Sequence, residues 1–365
     1  MRKTFEPPRR QGAKSRPSLA SLRLGGSIVL LMALALSPPL RAAELQKVAI
    51  GMVPSLPSAA TYIANDKGWY RDAGIDVDIQ NVESAAAAMA SVAANRLQVV
   101  EGGLASNYWN ALAKGLPVIM ASERGSSPLH HEIIVRNDLK GTIKSVADLK
   151  GRKIAIVAPG AILAYELGKT LETVGLHYKD VEITYIPFTQ MGIALANKAV
   201  DAAVSIPPFG DITLAQGLGW KLVDPDEVIE PKPLSAVAYV INADWAKQNP
   251  KLVHDFFIAS ARGIREYCQA YHNGPNRAYV VDLLLKNGVS NRAVIDKYPW
   301  PSRDPNGRLN GASINDVQDW FFKEGFIQQK FPLEKLFDAS YAEAAEKALG
   351  PFAVENKSDT QPGCR

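Results

Sequence analysis

Seven short segments carry the residues most able to do chemistry: 54–58, 82–85, 101–107, 123–130, 158–162, 187–190 and 205–211. Most of them join a β-rich run to a helical pattern. The first turn of a helix offers backbone N–H groups that have no acceptor inside the helix, so such junctions suit polar or anionic ligands. Ser55 and Pro57 lie in the first junction. Ser84 precedes four alanines, where it could cap the helix or touch a ligand; capping is the commoner role. Gly103, Ser106 and Asn107 repeat the arrangement after Gly102, with glycine letting backbone approach closely. Pro159 and Gly160 lead into a helical pattern with no Ser or Thr cap, which leaves donors for a ligand or for water. Ile206, Pro208 and Asp211 form the last junction, and Asp211 could receive a donor group or cap its own helix.

Two cationic candidates lie between these junctions. Arg124 offers a planar fork for a carboxylate or sulfonate, although a solvated loop is the commoner setting for arginine. His130 and His131 are adjacent, so on an extended segment they face opposite ways. At most one can face a cleft, and they cannot chelate a metal together; His130 is the expected ligand contact. Tyr62, Tyr108, Trp109, Tyr165 and Phe209 could wall a site, but such residues more often pack a core. Catalytic signatures are absent: the sequence has no GxSxG, HExxH, Walker A or CxxC pattern. No catalytic residue, metal site or cofactor is therefore expected, and the chemistry is that of binding.

The elements that position these junctions alternate. Apolar β-rich runs at 47–53, 75–79, 97–100 and 116–121 are separated by helical patterns at 59–69, 85–95 and 106–114. The alternation restarts with strands at 132–135, 153–157, 181–186 and 201–205 and helices at 145–149, 161–174, 190–197 and 209–216. Strands at 220–223 and 236–241 follow, then helices at 250–270, 277–286, 313–323 and 333–349. This order predicts an α/β fold of two lobes, each a mainly parallel sheet flanked by helices, with C-terminal helices added. The boundaries expected are lobe I at 44–135, lobe II at 136–235, a return to lobe I with the C-terminal helices at 236–352, and a loose polar tail at 353–365. The chain would cross between lobes near 133–138 and 233–240. Two extended crossings make a hinge with a cleft between the lobes.

Composition narrows the setting. The chain has 365 residues, enough for two lobes, and two cysteines, too few for a disulfide scaffold or a multi-cysteine metal site. Residues 1–43 hold eight of the 41 basic residues and one of the 37 acidic ones. The remainder has 33 basic against 36 acidic residues, net −3, so it offers no basic field for nucleic acid. Residues 25–36 are an uncharged, mostly apolar run preceded by a basic segment and followed by small residues. That pattern predicts an export signal cleaved near 42–44; the run is short of the roughly 20 residues that a spanning helix needs. Export places the body in an oxidising space, where Cys268 and Cys364 could pair.

Four stretches resemble a known family: Ala49-Ile50-Gly51 followed by residues 64–77 (ANDKGWYRDAGIDV), residues 90–103, residues 143–155 (IKSVADLKGRKIA), and Ala199-Val200-Asp201-Ala202-Ala203. In the second, Gln98 stands where the family usually has Asp. Together they resemble the periplasmic substrate-binding proteins of ABC importers, of the sulfonate/taurine/nitrate and thiamine-pyrimidine-precursor type, over about residues 45–270. The resemblance implies a periplasmic protein that closes two lobes on a small solute and delivers it to an inner-membrane permease, acting as a monomer. The body's charge-poor junctions point to a small organic anion, sulfonate- or carboxylate-like. The alternatives are a pyrimidine-precursor synthase-like enzyme and a ligand sensor for a signalling receptor. The enzyme would need a cysteine-rich motif that this chain lacks.

Overall fold

Val48, Ile50 and Met52 are fully buried and so are the residues between them, which marks β1 (Gln46–Met52) as a central strand covered on both faces. The computed structural model describes residues 44–365. The expected export signal lies outside the described residues. β1 pairs in parallel with β2 (Ile75–Asn81) and β3 (Val99–Gly103), with Ile50 opposite Ile79 and Val99. β10 (Ser235–Asn242) runs antiparallel to β3 and to β4 (Val118–Ser126), so the first sheet has the order β2-β1-β3-β10-β4.

The second sheet contains β5 (Glu132–Arg136), β6 (Lys153–Ile156), β7 (Glu182–Tyr185), β8 (Ala202–Ser205) and β9 (Gly219–Val223). Its order is β7-β6-β8-β5-β9. In each sheet four strands share one direction and one opposes them, β10 in the first and β5 in the second. These two reversed strands are the ones by which the chain enters a sheet from the other lobe. The α/β architecture of two flanked sheets follows the sequence expectation, with both sheets mixed.

Several boundaries differ from the sequence reading. Glu132–Arg136 pairs with β8 and β9, so 132–135 belongs to lobe II, and the first crossing is 127–131. Alternation alone could not assign this strand, because an apolar run reads the same in either sheet. The strand expected at 116–121 continues to Ser126, which puts Glu123 and Arg124 on β4 rather than in a loop. The long helix expected at 333–349 is two helices, Leu333–Leu336 and Ser340–Leu349. Phe337 is extended between them, and the Asp338 carboxylate accepts the Ser340 N–H at 2.9 Å, a local competitor to helix continuation. A further helix, Arg292–Lys297, is capped by Asn291.

Lobe contact is also broader than two crossing segments. The C-terminal helix Gly311–Lys323 touches both lobes. Ser313 Oγ accepts the Ser235 N–H of β10 at 3.0 Å, while Asp316 accepts the Tyr165 hydroxyl at 2.6 Å and meets Lys169 at 3.0 Å. Trp320 packs onto Gly168, where a Cβ would lie 2.0 Å from the indole. A mid-helix glycine costs about 1 kcal/mol against alanine, and this close approach explains its presence. One apolar cluster runs from Val100 and Trp109 through Ile314 and Phe321 to Ile154 and Leu163.

The tail expected to be loose is fixed. Cys268, in the helix Pro250–Tyr271, forms a disulfide with Cys364. Tyr271 Oη donates to Pro362 O at 2.6 Å, and the Cys364 N–H donates to Ser302 Oγ at 3.0 Å. Polar composition misled here because a covalent anchor leaves no hydrophobic period. The bridge closes a loop across 96 positions of sequence. Cys364→Ser is expected to lower the unfolding free energy by about 2–5 kcal/mol in urea titrations, and an unchanged midpoint would show that the tail adds nothing.

Candidate functional site

The strand ends of both lobes converge on one cavity. Val53 follows β1, Gly102 and Gly103 end β3, Val157 follows β6, and Ile206 follows β8; all line it. This is the crevice beyond the carboxyl ends of strands where open α/β sheets bind ligands. The space between atoms there is about 670 Å³ when the part open to solvent is counted. Its walls are mainly apolar, with Phe188, Leu129, Ile162 and Val237 prominent.

Two helices begin at the cavity. Ser84 is extended, and its Oγ accepts the Ala87 N–H at 3.1 Å, so it caps the helix Ala85–Ala93 while lining the cavity. Gly102 allows this start to press on the sheet, since a Cβ there would meet the Ala85 Cβ at 2.6 Å. On the other side Ala161, Ile162 and Leu163 line the cavity at the start of the helix Ile162–Glu172, which has no side-chain cap. First-turn N–H groups of both helices have no intrahelical acceptor.

Of the residues expected from sequence, Ser55, Pro57, Ser84, Gly103, Arg124 and Ile206 line the cavity. Asn107 and Pro159 line a shallower opening beside it, together with Ser84. The Asn107 amide donates to Ala86 O at 2.5 Å. Ser106 and Gly160 meet each other instead of a ligand. The Ser106 N–H donates to Gly160 O at 2.8 Å, and Ala105 bridges Ala161, so the two lobes join main chain to main chain.

Three expected residues lie elsewhere. His130 adopts a left-handed backbone, its ring directed at Asp224 with Nδ1 3.8 Å away, and His131 lines the cavity in its place. The sequence argument assumed an extended segment; with His130 left-handed, the turn brings His131 and not the expected His130 to the cavity. Pro208 starts a helix while its neighbour Pro207 lines the cavity. Asp211 is buried within lobe II and neither caps its helix nor reaches the cavity. Sequence reasoning chose His130 over His131 and did not single out Phe188, Leu163, Val237 or Pro301. Pro301 comes from a distant loop and gives no local signal.

Arg124 and His131 in the wall are each held by a carboxylate. Arg124 is 2% exposed, contacts Glu101 through Nε and donates to Ser58 Oγ. Thr61 Oγ1 donates to Glu101 at 2.5 Å and lies 3.1 Å from the Tyr239 hydroxyl. His131 Nδ1 is 2.9 Å from each oxygen of Glu166. Burial alone would lower the His131 pKa, but the Glu166 carboxylate raises it above the ordinary value. With Nδ1 committed, Nε2 is the free ring nitrogen.

Asp211 belongs to a second cluster. Burial, then the neighbouring Glu132 charge, pushes it up to about 8, and burial pushes Glu132 up to about 7. The unfolded chain releases these protons near pH 4, whereas the folded chain holds them to pH 7–8. The pair's contribution to stability therefore falls as pH rises through that window. Glu132→Gln and Asp211→Asn should each flatten the decline in unfolding free energy between about pH 5 and about pH 8, measured by urea titration. A slope equal to wild type would contradict this.

Comparison with known proteins agrees with the geometry. A protein of Haemophilus influenzae named for thiamine biosynthesis is 27% identical over 315 residues, covering 84% of this chain and 95% of its own length. The alkanesulfonate-binding protein SsuA from Xanthomonas axonopodis pv. citri, solved bound to MOPS, superposes with a TM-score of 0.65 at 18% identity, over 82% of this chain and 99% of SsuA. The desulfurization enzyme DszB superposes with a TM-score of 0.59 at 16% identity, over 83% of this chain and 99% of DszB. Residues 57–274, more than half of the sequence, match the family described as NMT1/THI5 like. The chain belongs to that NMT1/THI5-like family.

Proposed function

We propose that this protein is the solute-capturing component of an ABC importer, exported to the periplasm, which takes up a small organic anion and delivers it to a membrane permease. One observation carries the reading: the cavity lies between two lobes that meet around it main chain to main chain. Such an enclosure forms when lobes close on a solute and opens when they part, so ligand binding and lobe position are linked. The walls suit an apolar body, and Ser55, Ser84 and the two helix starts suit an anionic group on it. The likeness to an alkanesulfonate-binding protein is in keeping with that chemistry.

A catalytic reading draws less support. Both cysteines are joined in the disulfide, so no free thiol stands at the cavity. Its lining includes no lysine that could anchor an aldehyde cofactor. The lining histidine and arginine are committed to carboxylates.

A thermal-shift screen tests the proposal. Sulfonates, aromatic and aliphatic carboxylates, nitrate and pyrimidines would each be added to the protein lacking its leader. An organic anion at 100 times its Kd should add about 2.7 kcal/mol of apparent stability. A shift only with neutral or cationic compounds would overturn the solute class, and no shift with any small solute would overturn the function.

A further inference from the structure

Behind the lobe I wall of the cavity lies a second arginine that sequence reading did not single out. Arg303 is 1% exposed. Its Nη1 donates to Pro57 O at 3.1 Å, and its guanidinium lies over the Tyr267 ring, 3.7 Å from the centroid. Nε and Nη2 are buried with no hydrogen-bond partner. Among the described residues no carboxylate is within ion-pair distance of it; the ion pairs of this wall consist of Arg124 with Glu101. Pro57 and the neighbouring Pro301 both line the cavity, and Arg303 lies behind them, where it also lines a separate opening with Glu123, Ser302 and Asp304.

From this we infer that Arg124 and Arg303 together fix the charge class of the solute: the wall sets two guanidinium groups against one carboxylate and selects a solute with a single negative charge. The inference rests on the solute-binding reading above. Other nearby acids are already engaged. Glu123 accepts hydrogen bonds from Ser126 Oγ at 2.7 Å, Ser235 Oγ at 2.5 Å and the Asp304 N–H at 2.7 Å, without pairing to either arginine. Glu166 is paired with His131.

The physical reason is the cost of burying an unpaired charge. Removing a guanidinium from water without a counter-ion is expensive, and the ring of Tyr267 offsets only part of that cost. An anion in the adjacent apolar cavity offsets more, because attraction is stronger in low dielectric. A neutral solute leaves the excess charge in place. A dianion would bring a second charge that finds no counterpart and must still be desolvated. Arg303 thus acts through its field and through its grip on Pro57, as a positioning residue.

Calorimetric titration with matched probes tests this: benzenesulfonate against benzenesulfonamide, benzoate against benzamide, and phthalate as a dianion. The wild-type protein should bind each monoanion at least about tenfold tighter than its neutral partner, and phthalate more weakly than benzoate. Arg303→Gln should reduce the anion-to-neutral ratio by about tenfold while changing the affinity for the neutral member little. Arg303→Lys should restore the ratio. A merely structural role would weaken both members alike, so an unchanged ratio in R303Q overturns the inference. Equal wild-type binding of anion and neutral partner, which needs no variant, overturns it too and leaves solute binding standing. No binding by any probe would overturn the inference together with the solute-binding reading.

Discussion

Main-chain contacts join the two lobes beside the cavity. At the mouth, the Ser106 N–H of lobe I reaches Gly160 O of lobe II, and Ala105 bridges Ala161. Gly160 has φ +59, a conformation that favours glycine, and a Cβ on it would lie 2.1 Å from Ser106 Oγ. The contact needs no side chain, so it forms wherever the lobes approach correctly. Because it borders the cavity, a solute that touches both lobes and this bridge stabilise the same arrangement. The helix Gly311–Lys323 supports that arrangement from the side, holding lobe II through Asp316 and Trp320.

Charge is distributed unevenly across the enclosed space. Lobe I supplies Arg124, paired with Glu101, and behind it Arg303, which among the described residues has no carboxylate within ion-pair distance. Lobe II supplies His131, oriented by Glu166. Between these poles the lining is apolar. A solute in this cavity would meet apolar surface over most of its length.

Much of this organisation is legible in the sequence. The alternation of β-rich and helical runs gives both lobes, because period and length suffice for strands and helices that are well separated. Ser84 and the Gly102-Gly103 pair that ends β3 are visible because small residues at a strand end have few other uses. Strand assignment between sheets is not legible: Glu132–Arg136 joins lobe II through pairing with β8 and β9, and pairing leaves no trace within one strand. Arg124 reads as a surface residue until the length of β4 is known. Pro301 reaches the cavity, with Arg303 behind it, from 171 residues beyond the 123–130 junction, and only the folded chain brings them there. The Cys268–Cys364 bridge is open in the sequence because two cysteines reveal number and not distance.

Small-angle scattering of wild type and Gly160→Ala measures lobe closure through the Ala105–Ala161 bridge directly. The added methyl should keep the lobes apart, giving a larger radius of gyration and weaker binding of whichever anion stabilises the wild-type protein. A variant with the same radius of gyration and the same affinity would contradict the account.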